Sequence, residues 1–141
     1  MNHTYYVSTR YSNRAGVERV IRLLKPLGCE ITYDWTKTFG APTTPDYLCS
    51  IAVKEIEGVR EADFVIVLLR GGYGTHTELG AALALDRPVI LVVPHDNLLL
   101  DTHKNIVPFY HHPLVHKVPD ISYIPNLIRS WNTLIGAPDD H

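Results

Sequence analysis

Residues 63–69 read DFVIVLL, an apolar run behind one aspartate that stops against Arg70, Gly71 and Gly72. The run is too short for most helices, is rich in β-branched residues and shows no alternation of polar with apolar positions. Those properties suit a central strand of a parallel sheet, covered on both faces. Parallel strands need long crossovers, so the rest of the chain has to supply helices between strands. Residues 4–8 (TYYVS), 30–35, 88–93 and 115–118 read as four further strands. Residues 15–27 carry Val17, Val20, Ile21, Leu24 and Leu27 on one helical stripe that stops at Gly28. Residues 45–61 place Leu48, Ala52 and Val59 on one face, with Ala62 just beyond, and residues 75–85 read as a third helix. Ile124, Leu127, Ile128, Trp131 and Leu134 mark a last helix, with Pro125 in its first turn and Gly136 at its end. Residues 36–45, rich in Thr, Gly and Pro, read as a loop. The alternation predicts an α/β fold built on one doubly wound, mainly five-stranded parallel sheet of the Rossmann-like or flavodoxin-like kind. No repeat or linker divides the sequence, so residues 1–141 are expected to form a single domain.

Thirteen Lys and Arg against fifteen Asp and Glu leave a formal charge of -2. That balance lacks the basic excess that tracks a phosphate backbone or an anionic bilayer, so neither nucleic acid nor a membrane is an expected partner. No apolar run nears the roughly 18 residues of a membrane span. The first residues show no basic-then-apolar leader pattern, and Cys29 and Cys49 are too few for a disulfide framework, so a cytoplasmic, reducing setting is expected. Both cysteines are read as small core residues.

In open parallel sheets, ligands bind beyond the carboxyl ends of the strands, near the point where strand order reverses. The segment after residue 69 reads Arg70-Gly71-Gly72-Tyr73-Gly74-Thr75-His76-Thr77-Glu78. Its three glycines let a ligand approach the backbone, and hydroxyls and a carboxylate follow. Thr77 stands where a dinucleotide fingerprint needs Gly or Ala, and the Gly-Lys-Ser/Thr ending of a P-loop is missing. Glu78, read as lying in the first turn of the third helix, is expected to be held ionised by the helix N-terminus, with a lowered pKa, as nucleophile or ion stabiliser. The plainer alternative is a charge that only decorates a helix start. Glu55 sits on the apolar stripe among Ile51, Ala52 and Val59, where a carboxylate is costly without partners; its alternative is a marginal position whose head reaches solvent. Two carboxylates at one ligand can divide nucleophilic and proton-transfer work, as glycoside-cleaving sites do. His95, His103, His111, His112 and His116 raise a metal reading, and His112 with His116 has the spacing of a helical ligand pair. Pro113 works against that helix and no Cys or HExxH pattern joins the histidines, so no metal is expected. Tyr5, Tyr6, Tyr11, Trp35, Tyr73 and Phe109 read as strand-end or loop aromatics, suited either to stack on a base or to pack.

Four segments together resemble the nucleoside 2-deoxyribosyltransferase superfamily, which also holds deoxynucleoside and pyrimidine 5'-monophosphate N-glycosidases. They are YYVSTRYSNR at the start, EIEGVREAD before the apolar run, GGYGTHTELGAALALDRPVILV, and the later NIVPFYHHPLV. The resemblance implies that Glu78, in Thr-Glu-Leu-Gly, attacks C1' of the sugar. It also implies that Glu55 stands in place of an aspartate that assists proton transfer, longer by one methylene. By the same resemblance Ser8, Thr9, Arg10, Tyr11 and Arg14 would hold substrate, and Gly71, Gly72, Gly74 and Thr75 would hold the 5' end of the nucleoside or its phosphate. Monophosphate hydrolases tend to carry serine where Gly72 stands, which leans toward nucleosides, although Arg10 or Arg14 with backbone N–H groups could still hold a phosphate. Asn105 matches a polar residue that reaches a neighbouring subunit's site. Ala81, Ala82 and Ala84, with the FYHHP segment, offer surface suited to an interface, and with the resemblance they imply a homo-oligomer, a dimer or higher. The implied activity is cleavage of the N-glycosidic bond of a 2'-deoxynucleoside or its 5'-monophosphate, with transfer to another base or to water and without cofactor. The GGYGT string is also similar to the cytokinin-releasing phosphoribohydrolases, except that Arg70 replaces their proline. A nucleotide-binding sensor without turnover is the non-enzymatic alternative.

Overall fold

The computed structural model describes residues 3–38, 40–99 and 106–135. Five strands, β1 (Thr4–Ser8), β2 (Glu30–Ile31), β3 (Phe64–Leu68), β4 (Val89–Val92) and β5 (Val115–Val118), form one sheet in the order β2-β1-β3-β4-β5. Every neighbouring pair is parallel, with Ser8 opposite Val67 and Val67 opposite Leu91. The fold is therefore the α/β, flavodoxin-like arrangement that the alternating runs predict. Strand order reverses between β1 and β3, which opens a crevice at their carboxyl ends.

The helices are α1 (Arg14–Leu24), α2 (Pro45–Glu61), α3 (Tyr73–Ala84) and α4 (Ile124–Ile135). All five residues of β3 are buried, as are those of β4, which is why these segments carry no polar alternation. Each large aliphatic side chain buried this way contributes roughly 1.5–3 kcal/mol. The stripe of α1 is as expected: Val17, Val20 and Leu24 are buried, and Asn13 caps the helix by accepting from the Gly16 N–H at 3.2 Å. Gly28 ends this unit in the left-handed region, at φ 75°, where a Cβ would be strained.

Four sequence expectations need correction. The first helix closes at Leu24 and continues as a 3-10 turn over Lys25–Leu27, because Pro26 cannot donate to the α-helical ladder. The second strand spans two residues rather than six, and Trp35–Thr38 coil into a 3-10 turn inside or beside the expected loop. The Trp35 indole N–H donates to the Val7 carbonyl at 2.9 Å, so a tertiary bond overrides the strand propensity of this stretch. The face assigned to α2 is covered only at its end: Gly58, Val59 and Ala62 are buried, whereas Leu48 is 48% exposed and Ala52 is also on the surface. Gly58 lets α2 approach β1, since a Cβ there would lie 2.9 Å from the Tyr6 ring. Cys29 is buried as expected, but Cys49 lies on the uncovered half of α2 and is exposed. His112 and His116 share no helix, because Val115 already begins β5. Gly136, the expected stop of α4, lies outside the described residues, as does His103.

Candidate active site

α2 and α3 pack on each other and both lie against β1, so the crevice at the strand reversal is walled by two helices. The cleft there has a volume of about 340 Å³. It is lined by Glu78 of α3, by Thr9 and Arg10 just after β1, by Glu55 of α2, and by Gly72, Gly74 and Thr75 of the glycine loop. Tyr11, Trp35 and Tyr73 complete it.

Glu78 is only 7% exposed, and each of its carboxylate oxygens accepts one hydrogen bond. The Tyr6 hydroxyl donates to Oε2 at 2.6 Å and the Ser8 hydroxyl donates to Oε1 at 2.5 Å. The period of two along β1 makes this possible, because Tyr6 and Ser8 point to the same face of the sheet, toward α3. Burial raises the Glu78 pKa above the usual carboxylate value, and the bonds from Ser8 and then Tyr6 oppose the rise. This reverses the lowered value expected from a helix N-terminus. The helix begins at Tyr73, two residues before the expected start, so Glu78 is in its second turn, beyond the unsatisfied N–H groups of the first. Tyr6 is pushed far up by burial and by the neighbouring carboxylate, so it remains a phenol donor.

Glu55, on the cleft wall, is pushed up to about 7, first by burial and then by the negative charge of Glu78. The two carboxyl groups share one cleft and titrate as a coupled pair, and near pH 7 Glu55 stands poised between acid and base.

The glycine loop is built by Thr75. Its hydroxyl accepts from the Gly72 N–H at 3.0 Å, and its methyl would sit 2.5 Å from a Cβ on Gly71, so that position has no room for a side chain. A Cβ on Gly72 or Gly74 would meet nothing within 4 Å, and the space they leave belongs to the cleft. His76 Nδ1 lies 2.7 Å from the Gly72 carbonyl, which can only accept, so Nδ1 carries a proton. In the neutral ring Nε2 is then the acceptor for the Tyr110 hydroxyl at 2.6 Å, and this link ties the loop to the turn before β5. Beyond the loop is a second cavity of about 720 Å³, bordered by Arg70, Gly71, Leu98 and Val107. Across the first cleft Tyr11 stacks on Trp35, with ring centroids 6.0 Å apart and planes at 27°.

The structure thus brings Glu78, Glu55, Thr9, Arg10, Tyr11, Gly72, Gly74 and Thr75 to one cleft. Ser8 is fully buried behind Glu78 and does not line it, Gly71 faces the second cavity, and Arg14 begins α1 outside the lining. Asn105 lies outside the described residues. Among the aromatic residues, Tyr5 is a core residue and Phe109 is exposed away from the cleft, whereas Tyr6 acts on Glu78. Sequence reasoning missed the roles of Tyr6 and His76. The available signal for Tyr6 was a hydroxyl on a strand with no exposed face, which must find a partner. Among the described residues, no three His, Cys, Asp or Glu side chains are placed to hold a metal ion, and no helix is long and apolar enough to cross a membrane.

A buried, doubly hydrogen-bonded carboxylate at the switch point of a parallel sheet, with a second carboxyl group lining the same cleft, is an arrangement able to divide nucleophilic and proton-transfer work. The sequence matches the nucleoside 2-deoxyribosyltransferase family over residues 7–122, and the chain belongs to that family. Among solved structures, BlsM is similar at 15% identity and TM-score 0.65, over 99% of this chain and 97% of that one. A 2-deoxyribosyltransferase of Bacillus psychrosaccharolyticus is similar at 18% identity and TM-score 0.63, over 87% and 90%. The CMP N-glycosidase BcmB of Clostridium botulinum is similar at 18% identity and TM-score 0.57, over 89% and 98%. At these identities the likeness speaks for the fold. Among curated proteins none matches the sequence. Family membership supports a transferase or glycosidase acting on nucleosides or nucleotides.

Proposed function

We propose that this protein cleaves the N-glycosidic bond of a 2'-deoxynucleoside, with Glu78 as nucleophile and Glu55 as proton donor and acceptor. The observation that carries this reading is the Glu78 carboxylate fixed at both oxygens, lining the same cleft as Glu55, which burial pushes up to about 7. In the first step a Glu78 oxygen bonds to C1' while the bond from C1' to the base nitrogen breaks. Its electron pair goes to the base, and the Glu55 proton neutralises that nitrogen. Glu55 is then a carboxylate, able to take a proton from water or from an incoming base. That acceptor attacks C1', the ester to Glu78 breaks, and the carboxylate returns. Tyr11 and Trp35 offer a stacking wall for the base, and the open side of Gly72 and Gly74 leaves room for the 5' end. The Gly72 N–H is already engaged by Thr75, which favours a 5'-hydroxyl over a phosphate at that point.

The functional unit is a homo-oligomer in this reading. Of the small residues of α3 expected at an interface, Ala82 is buried in the core and Ala81 half-buried, so the surface that remains is Ala84, together with Leu48 and Val53 on the uncovered part of α2. Incubation with deoxynucleosides and their monophosphates, with and without a second free base, tests the activity. Exchange of bases identifies a transferase and release of free deoxyribose a hydrolase. A sugar adduct on the Glu78 peptide, seen by mass spectrometry after rapid quenching, is expected in either case. Binding without any product would refute the proposal in favour of a sensor.

A further inference from the structure

We propose that Ser8 is a positioning residue, acting on the substrate only through Glu78. The family resemblance groups Ser8 with the substrate-holding residues that follow β1, but its geometry differs from that of its neighbours. Ser8 is the last residue of β1, paired with Val67 in the middle of the sheet, and has no exposed surface. Thr9 and Arg10 line the cleft and Ser8 does not. Its hydroxyl is committed to Glu78 Oε1 at 2.5 Å, while Tyr6 holds Oε2.

The terminal torsion of a glutamate is broad and roughly two-fold, so one donor would leave the carboxylate plane free to turn. Two donors, one on each oxygen and both from a rigid strand, fix that plane toward the cleft. The role follows from the movement of charge, and rests on the covalent reading above. When Glu78 becomes an ester its negative charge is lost, and when the ester breaks the charge returns. A hydrogen bond to the carboxylate is stronger than one to the ester. Ser8 therefore helps Glu78 leave in the second step and keeps it ionised before the first. The titratable and charged groups around it are Tyr6 on β1, Glu55 on α2, and Arg10, Tyr11 and Tyr73 along the cleft.

The test is Ser8→Ala, with Ser8→Thr as the variant that retains the hydroxyl and Ser8→Cys as a weak donor of similar size. Expected for Ser8→Ala are a kcat lower by roughly 10- to 100-fold, as for loss of a hydrogen bond to a charged group, an unraised KM, accumulation of the Glu78 adduct, and an acid limb moved to higher pH. The other two variants should fall between Ser8→Ala and the parent. A raised KM with unchanged pH profile and no adduct accumulation would make Ser8 a substrate ligand and overturn the inference. Carbon NMR titration of the glutamate carboxyls provides a readout without turnover. The Glu78 resonance should titrate at higher pH in Ser8→Ala, whether or not the protein proves to be a deoxyribosyl-transfer enzyme, and an unmoved titration rejects the positioning role. If the parent protein turns over no nucleoside but the titration moves, the functional reading fails and the positioning stands.

Discussion

Glu78 and Glu55 are the same side chain in two unlike settings. Glu78 stands on the side of the cleft made by β1 and the buried face of α3, where two hydroxyls on one strand face meet both oxygens. Glu55 stands on α2, whose outer half is bare and whose carboxyl group receives burial and a neighbouring charge without the compensating pair of donors. Both are raised above the usual carboxylate range, but only Glu78 has bonds that pull it back. The difference teaches that the setting of a carboxyl here depends on its donors and not on depth alone: the deeper of the two is the one whose burial is opposed by two hydrogen bonds.

The sharpest way to break this comparison is to remove the better-held carboxylate. Glu78→Gln should fold, since an amide can keep one of the two hydroxyl contacts, and should lose at least about 10³-fold in kcat because the covalent path is gone. Normal turnover by this variant would remove Glu78 from the chemistry. The next effect belongs to the other wall. Glu55→Gln should cost about 10²- to 10³-fold with ordinary bases, in the range of general acid–base catalysis. The parent enzyme's rate should fall as pH rises through about 7, where Glu55 loses its proton, and this basic limb should vanish in the variant. Substrates whose leaving base departs without protonation should be slowed less, which separates proton donation from mere packing.

Tyr6→Phe carries a smaller loss. It leaves shape intact but strips Oε2 of its donor among the described residues, so roughly 10- to 100-fold in kcat/KM is expected, with the acid limb moved upward. Steady-state profiles of parent and variant across pH 4 to 8 check both parts, and an unchanged acid limb would show that Ser8 alone holds the charge.

The parts of this site that the sequence makes legible are those carried by local pattern. The apolar run of β3 and the glycines behind it locate the switch point, and a glutamate just past such a loop stands out without knowledge of what it touches. Glu55 is also visible, as a carboxylate out of place on an apolar stripe, although half of that stripe proves to be uncovered. What sequence does not carry is pairing across the fold. The Tyr6 and Ser8 bonds to Glu78 span 72 and 70 residues, and the truncation of β2 depends on an indole reaching a carbonyl 28 residues away. The sign of the Glu78 shift likewise depends on how deeply the fold buries the carboxyl, which the local pattern of residues does not carry.

The smallest expected effect is on stability, and it sharpens the contrast because it involves no substrate. The folded Glu55 pKa, about 7, lies above the value of 4.5 for an unperturbed glutamate. Below about pH 4.5 the group is protonated in both folded and unfolded chains and exerts no penalty. As pH rises toward 7 the unfolded chain releases this proton more readily than the folded one, so stability attributable to Glu55 is progressively lost, and the loss is complete above the folded value. Water in the open cleft limits the total to about 1–2 kcal/mol. Glu55→Gln removes the titration, so the variant should gain stability over the parent at pH 8 and show little gain at pH 5. Urea melts at the two pH values measure the difference directly. An equal gain at both would mean that the amide improves packing, and that Glu55 reaches solvent as freely as a surface glutamate.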